Sequence, residues 1–233
     1  SFSEEIPTLP ESDIEINWSA KEILTNTPVV QKFCKKIDKE FIQYGWGQSR
    51  CENFKWNHVR NSVLGDPLIW TTFGEHDKEH SSTLILCGVH GHEISPNKFC
   101  FDIIHHMEKY SENYKNQFII IAPFVSPDGF FAKKKTRTNA NSVDANRNFP
   151  TKDWEKDALR IWKTRYGSDK RRYPGKKPLT EPEVIFQVNL IKRYRPDKIV
   201  SVHAPLTLID MDGPLGENGE TNNLLLQMSQ SAN

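Results

Sequence analysis

The sequence predicts an α/β protein built on a mixed, mostly parallel twisted sheet with helices on both faces. Three observations lead there. Two short, continuous apolar runs, Thr83–Val89 and Gln117–Pro123, read as strands buried on both faces. Stretches with apolar residues at helical spacing separate such runs along the chain. A turn signal, Leu64-Gly65-Asp66-Pro67, lies between the β-rich runs Phe54–Val63 and Leu68–Phe73, which predicts a hairpin ahead of the parallel part.

Each element follows from its local pattern. Residues 1–18 carry Pro7, Pro10 and several acidic side chains with little periodicity, and read as an extended arm. From Pro28 to Tyr44 the residues Val29, Val30, Phe33, Ile37, Phe41 and Ile42 recur at helical spacing, with Thr27 as cap and Pro28 in the first turn. Gly45 and Gly47 close this helix, so residues 1–50 read as an arm and helix preceding a main domain over 51–233. After the hairpin and the strand 83–89, a helix is expected over Ser95–Tyr110, opened by Ser95 and Pro96. The strand 117–123 leads into a polar loop from Val125 to Lys152. A helix follows at Trp154–Trp162, then a basic loop at Ser168–Pro178. Thr180-Glu-Pro-Glu183 caps a helix running to Tyr194, Lys198–His203 is a strand, and Thr221–Gln230 has a helical pattern.

Composition narrows the function classes. The 233 residues include 31 basic and 30 acidic side chains, a formal net charge of +1. That balance argues against a protein that binds nucleic acid by charge. No apolar stretch approaches the ~18 residues of a membrane helix. The four cysteines show no Cys-x-x-Cys spacing, so a cysteine zinc site is not expected. Cys87 and Cys100 lie in apolar stretches and read as core thiols, whereas Cys34 and Cys51 could pair or be buried separately.

Three polar clusters fall after predicted strands, where the ligand site of a parallel sheet lies. His90-Gly-His-Glu93 follows the strand 83–89. His90 and Glu93, with two residues between them, can face one point from a turn, and an imidazole nitrogen with a carboxylate oxygen suits zinc. His203, ending another strand, supplies the third ligand of a catalytic zinc site. Taken singly, each is no more than a polar turn or a packed histidine; the metal reading rests on their joint placement. His92 points away from His90 and reads as a supporting or surface residue. In the second cluster, Arg137 to Pro150, the Arg147 fork matches a carboxylate and Asn146 donates beside it. Arg137 is a second guanidinium, suited to stabilising an oxyanion on a polarised carbonyl.

These motifs resemble the zinc carboxypeptidase superfamily, the funnelins. The carrying residues are His90-Gly-His-Glu93, Ser126-Pro-Asp-Gly-Phe130, Val143-Asp-Ala-Asn-Arg-Asn-Phe149, Glu181-Pro-Glu183 and Ser201-Val-His203, in the family's order. The stretch from Arg137 to Pro150, and Pro205-Leu206 after His203, resemble the bacterial peptidoglycan branch of D,L-carboxypeptidases and murein peptide amidases. The resemblance implies that His90, Glu93 and His203 hold zinc, that Asn146 and Arg147 bind the substrate's terminal carboxylate, and that Arg137 polarises the scissile carbonyl. It implies zinc-assisted hydrolysis beside meso-diaminopimelate in peptidoglycan stem peptides. A non-catalytic carboxylate-binding module of the same fold, or a deacylase of N-acyl amino acids, are the alternatives.

The family's general base, a glutamate on a strand well past the last zinc ligand, finds no counterpart. Asp210, Asp212, Glu217 and Glu220 lie in a glycine-rich stretch and are not assigned to it. The strand 198–203 is therefore expected to leave an apolar edge, to be completed by a C-terminal fragment or second chain. The basic stretches Lys133–Arg137 and Lys170–Lys177 would form a rim attracting an anionic substrate. The sequence opens on Ser1, and with a Cys34–Cys51 pair this favours the periplasm over a cytoplasmic recycling enzyme.

Overall fold

The protein is described by a computed structural model covering residues 23–204. The expected arm over 1–18, the helix over 221–230 and the four acidic residues from Asp210 to Glu220 lie outside the described residues.

The strands are β1 (Leu24–Thr25), β2 (Asn57–Asn61), β3 (Pro67–Phe73), β4 (Ser81–Cys87), β5 (Gln117–Ala122) and β6 (Lys198–Val202). They form one sheet in the order β1-β2-β3-β5-β4-β6. The hairpin β2–β3 is antiparallel and joins β5 antiparallel, while β5, β4 and β6 run parallel. The sheet is thus mixed, as expected, with its parallel part on one side.

Alternation along the strands divides the core in two. On β5, Phe118, Ile120 and Ala122 face one cluster and Ile121 the other; on β3, Leu68 and Trp70 oppose Ile69 in the same way. One face is covered by α1 (Pro28–Gln43) and α2 (Ser95–Tyr110), the other by α5 (Pro182–Tyr194). Helix α1 begins as the sequence requires: the Thr27 side chain accepts from the Val30 amide at 3.4 Å and Pro28 occupies the first turn. Its stripe of Val30, Phe33, Cys34, Ile37 and Phe41 is buried, with Phe33 edge-on to Phe124 at 5.7 Å and Phe41 edge-on to Phe101 at 5.2 Å.

Two expectations need correction. The stretch 125–152 is not all loop: α3 (Pro127–Phe131) and a 3-10 turn at Ala145–Arg147 interrupt it, before α4 (Trp154–Thr164). Ser126-Pro-Asp begins a helix after all, because the Asp128 carboxylate is buried and accepts from Ser62 Oγ at 2.6 Å and the Leu64 amide at 3.0 Å. The second correction concerns the thiols. Cys87 and Cys100 are not free core thiols but a disulfide, and Cys34–Cys51 is another. Cys87 ends β4 and Cys100 sits one turn into α2, a closeness that spacing alone does not reveal.

The carboxyl ends of the parallel strands, Cys87, Ala122 and Val202, share one edge of the sheet. Chain order reverses at β4, with β5 on one side and β6 on the other. That crevice is where an open α/β sheet presents its ligand site. β6 is the outer strand among the described residues, and its Ile199 is 48% exposed.

Candidate metal centre

The turn after β4 is shaped by close backbone approach. Gly88 has φ +64°, and a Cβ there would lie 2.2 Å from the Asn97 amide nitrogen. A Cβ on Gly91 would lie 2.0 Å from the Gly129 carbonyl carbon, so the turn rests directly on α3. Amides of Val125 and Ser126 donate to the carbonyls of Cys87 and Gly88 at 3.0 and 2.8 Å, joining this turn to the chain leaving β5. The Cys87–Cys100 bond spans the turn covalently.

So held, the turn brings His90 and Glu93 together with His203 from the end of β6. His90 Nδ1 bonds Glu93 Oε1 at 3.0 Å and His203 Nδ1 bonds Glu93 Oε2 at 2.9 Å. The two imidazole rings are 4.9 Å apart. One donor atom from each of the three side chains lies within 4.8 Å of the others, and His90 and Glu93 are buried. Two imidazole nitrogens and one carboxylate oxygen are a donor set of catalytic zinc.

The donor set also has the outer support that a zinc site needs. His90 Nε2 donates to Asp144 Oδ1 at 3.1 Å, so a buried carboxylate fixes the ring and leaves Nδ1 facing the centre. Asp144 Oδ2 accepts from Arg137 Nε at 2.9 Å, and Arg137 Nη1 stands 3.7 Å from Glu93 Oε1. Burial alone disfavours the imidazolium of His90, but its bonds to Asp144 and Glu93 outweigh burial and raise its pKa. Burial alone raises the Asp144 pKa, but His90 and the Arg137 guanidinium outweigh it and hold the carboxyl below its usual range. Asp144 is thus hydrogen-bonded through both of its carboxylate oxygens.

Of the other expected residues, Asn146 reaches the centre, whereas the Arg147 side chain turns toward Tyr166. Asn146 Nδ2 is 3.5 Å from His203 Nε2, which also meets Ser201 Oγ at 3.1 Å. Arg147 Nη1 donates to its neighbour's carbonyl at 3.1 Å, and its guanidinium lies 5.5 Å over the Tyr166 ring. A cavity of about 240 Å³ opens there, between Arg147, Trp154, Trp162 and Tyr166. His92 stands apart: its ring is 6.1 Å from His90 and its Nε2 is 3.5 Å from the Arg171 guanidinium. Desolvation lowers its pKa. Of the basic stretches, Lys135 is not an open rim charge. Its ammonium donates to the Phe130 carbonyl and lies 4.4 Å over the Phe130 ring.

Asp144 is the residue to which the sequence reading assigned no role. It is the one acidic residue between Asp128 and Asp153, and a metal-binding histidine calls for a carboxylate on its other nitrogen. Those two facts together were enough to single it out.

A mixed α/β sheet with three converging metal-type donors at its switch point, and Arg137 beside them, defines a class of fold with a candidate metal centre at its strand ends. Within that class the assignment is specific: the sequence model of the zinc carboxypeptidase family matches residues 48–212, and the chain belongs to that family. It is 33% identical over 156 residues to murein peptide amidase A of Escherichia coli (strain K12), covering 66% of this chain and 60% of that protein. The corresponding protein of Vibrio campbellii is 34% identical over 151 residues, covering 64% of this chain and 57% of that protein. The chain thus spans about three fifths of the length of these relatives. Among solved structures, carboxypeptidase A from Helicoverpa armigera shares the fold, with a TM-score of 0.61 and 21% identity, covering 86% of this chain and 52% of that one.

Proposed function

We propose that the protein is a zinc-dependent hydrolase that cleaves a peptide or amide bond next to meso-diaminopimelate in peptidoglycan stem peptides. The convergence of His90, Glu93 and His203 carries the reading. Family membership and the two relatives named murein peptide amidase A support the substrate class.

In this reading His90, Glu93 and His203 hold the zinc, and Asp144 keeps the His90 ring in register. Bound zinc supplies a Lewis acid and lowers the pKa of water toward neutrality. Arg137, beside Glu93, donates to the carbonyl oxygen as charge develops on it. Asn146 and Arg147 bind the carboxylate next to the scissile bond, orienting the substrate. The described carboxylates at the centre are already engaged: Glu93 faces both histidines and Asp144 is held by His90 and Arg137. The general base is therefore assigned to none of them. This also favours a second reading, a protein that binds the same carboxylate without turnover.

Residues 51–233 would carry this catalytic domain and 1–50 an appended arm and helix. Two buried disulfides suit an oxidising compartment and support a periplasmic location. The outer edge of β6 is where the further strand expected from the sequence would add, from the same chain or a second one.

The test is hydrolysis of L-alanyl-γ-D-glutamyl-meso-diaminopimelate, followed by product release with and without a chelator. Cleavage that a chelator abolishes and zinc restores is the expected result. Cleavage indifferent to chelation overturns the zinc reading, and tight binding without cleavage selects the second reading.

A further inference from the structure

We propose that Asn139, clasped between Glu181 and Glu183 at the start of α5, is the positioning residue that holds Arg137, Asn146 and Arg147 in place for a substrate carboxylate. This rests on the reading of their loop as the carboxylate-binding element.

The segment from Thr136 to Asn148 holds no regular structure beyond one 3-10 turn, yet it carries all three of those side chains. Its ends are joined by the Arg137–Asp144 ion pair. Its middle is organised by one buried amide. Asn139 is 5% exposed, and its Oδ1 accepts from the amides of Asn141 and Val143, both at 3.1 Å. Its Nδ2 donates to Glu181 Oε2 at 2.7 Å and to Glu183 Oε2 at 2.8 Å. Two donors and two acceptor sites are the whole capacity of an asparagine amide, and all four are used. The Asn139 amide and carbonyl bond Val143 and Ser142 at 3.0 Å, and Asn141 Nδ2 adds a bond to Glu181 Oε2 at 2.8 Å. Glu181 Oε2 takes two of these bonds and Glu183 Oε2 one, so the loop is pinned to the start of α5 where it would otherwise depend on its ends.

The arrangement is costly to the fold, which argues that it serves something besides stability. Glu183 is fully buried, and its Oε1 has no hydrogen-bond partner among the described residues. Burial pushes its carboxyl up to about 7, with Asp128 from α3 and Glu181 from the helix cap adding to the shift. An apolar side chain of similar volume would avoid that penalty. Glu181 and Glu183 both face one amide, and the element they anchor carries the arginines.

The test compares affinities, by calorimetry on the zinc-loaded protein. The probes are L-alanyl-γ-D-glutamyl-meso-diaminopimelate with its scissile amide reduced to a methyleneamine, which binds without being cleaved, and the same compound amidated at the carboxylate beside that bond. Wild type is expected to prefer the free acid. In Asn139→Ala the preference falls about tenfold, the equivalent of one strong hydrogen bond, with zinc stoichiometry retained. A merely structural role would lower the active fraction for both probes and leave their ratio unchanged. Glu183→Gln, which keeps an acceptor for Asn139, retains the preference, whereas Glu183→Ala loses it. This pair serves equally if Asn139→Ala fails to fold. A preference that survives in both alanine variants overturns the positioning role alone. A wild-type ratio of one overturns the positioning role and the carboxylate reading together. Hydrolysis is scored in its own assay and bears on neither ratio.

Discussion

The turn at residues 88–94 and the loop at 136–148 face the same centre but are held by different means. The turn is short, begins at the end of a buried strand and is spanned by the Cys87–Cys100 bond; its glycines let backbone meet backbone. The loop is long, and what orders it is a set of side-chain hydrogen bonds around Asn139 and Asp144. The turn is therefore fixed by chain connectivity and the loop by polar chemistry. One should respond to redox conditions and the other to pH and polar substitutions. Asp144 couples them, with one carboxylate oxygen on a turn histidine and the other on a loop arginine.

Emptying the turn has the largest expected effect. Glu93→Ala removes the side chain that both histidines contact. Zinc affinity, measured by competition with a chelating dye, should fall by more than the ~10–100-fold that an outer partner is worth, and hydrolysis should vanish. Next in size is the joint replacement of Cys87 and Cys100 by serine. A crosslink over a loop of this length contributes about 3 kcal/mol, read from denaturant unfolding. If the two regions are held independently, the variant also weakens zinc binding but keeps the preference for a free carboxylate. Loss of both would show that the loop leans on the turn.

Asp144→Asn tests the coupling itself. It should lower zinc affinity by ~10–100-fold with the fold intact, and unchanged affinity would remove Asp144 from the site. Glu183→Gln addresses the loop alone. The Glu183 carboxyl is raised from 4.5 to about 7 in the folded protein, so its contribution to stability is complete below its unfolded pKa and is lost as pH rises through 7. Wild type should lose roughly 2 kcal/mol between pH 5 and pH 7 from this group, seen in chemical denaturation at each pH, and the variant should lack that component. The smallest effect concerns the rim. With Lys133, Lys134, Arg171 and Arg172 exposed or nearly so, kcat/KM for an anionic stem peptide should decline as salt rises. A salt-independent value would remove steering from the account.

How much of this was legible beforehand divides along the same line. Strands β4 and β5 announced themselves as continuous apolar runs, and α1 by its stripe and Thr27 cap, because local pattern and burial agree there. The convergence of His90, Glu93 and His203 was legible because each follows a strand, and a parallel sheet gathers strand ends. The Cys87–Cys100 pair was not, since two cysteines in separate apolar elements look like core residues until the strand and helix are packed together. The roles of Asn139, Glu181 and Glu183 were hidden for a related reason. Asn139 lies 42 and 44 residues from its partners, and no periodicity links a loop amide to a helix cap. α3 was read as loop because its start depends on Asp128 reaching back to Ser62, 66 residues away.

The contact between Gly91 and Gly129 has a practical consequence for anyone seeking to alter what the protein accepts. Backbone meets backbone there, and any Cβ on Gly91 would fall within 2.5 Å of Gly129 and Phe130 main-chain atoms. A mutant library that randomises the whole turn would spend most of its members on chains that cannot close. Diversity placed at His92, whose ring looks toward Arg171 and not toward that contact, leaves the closure intact. The productive search space around this centre is thus one side of the turn, and its boundary is drawn by a pair of residues that have no side chains at all.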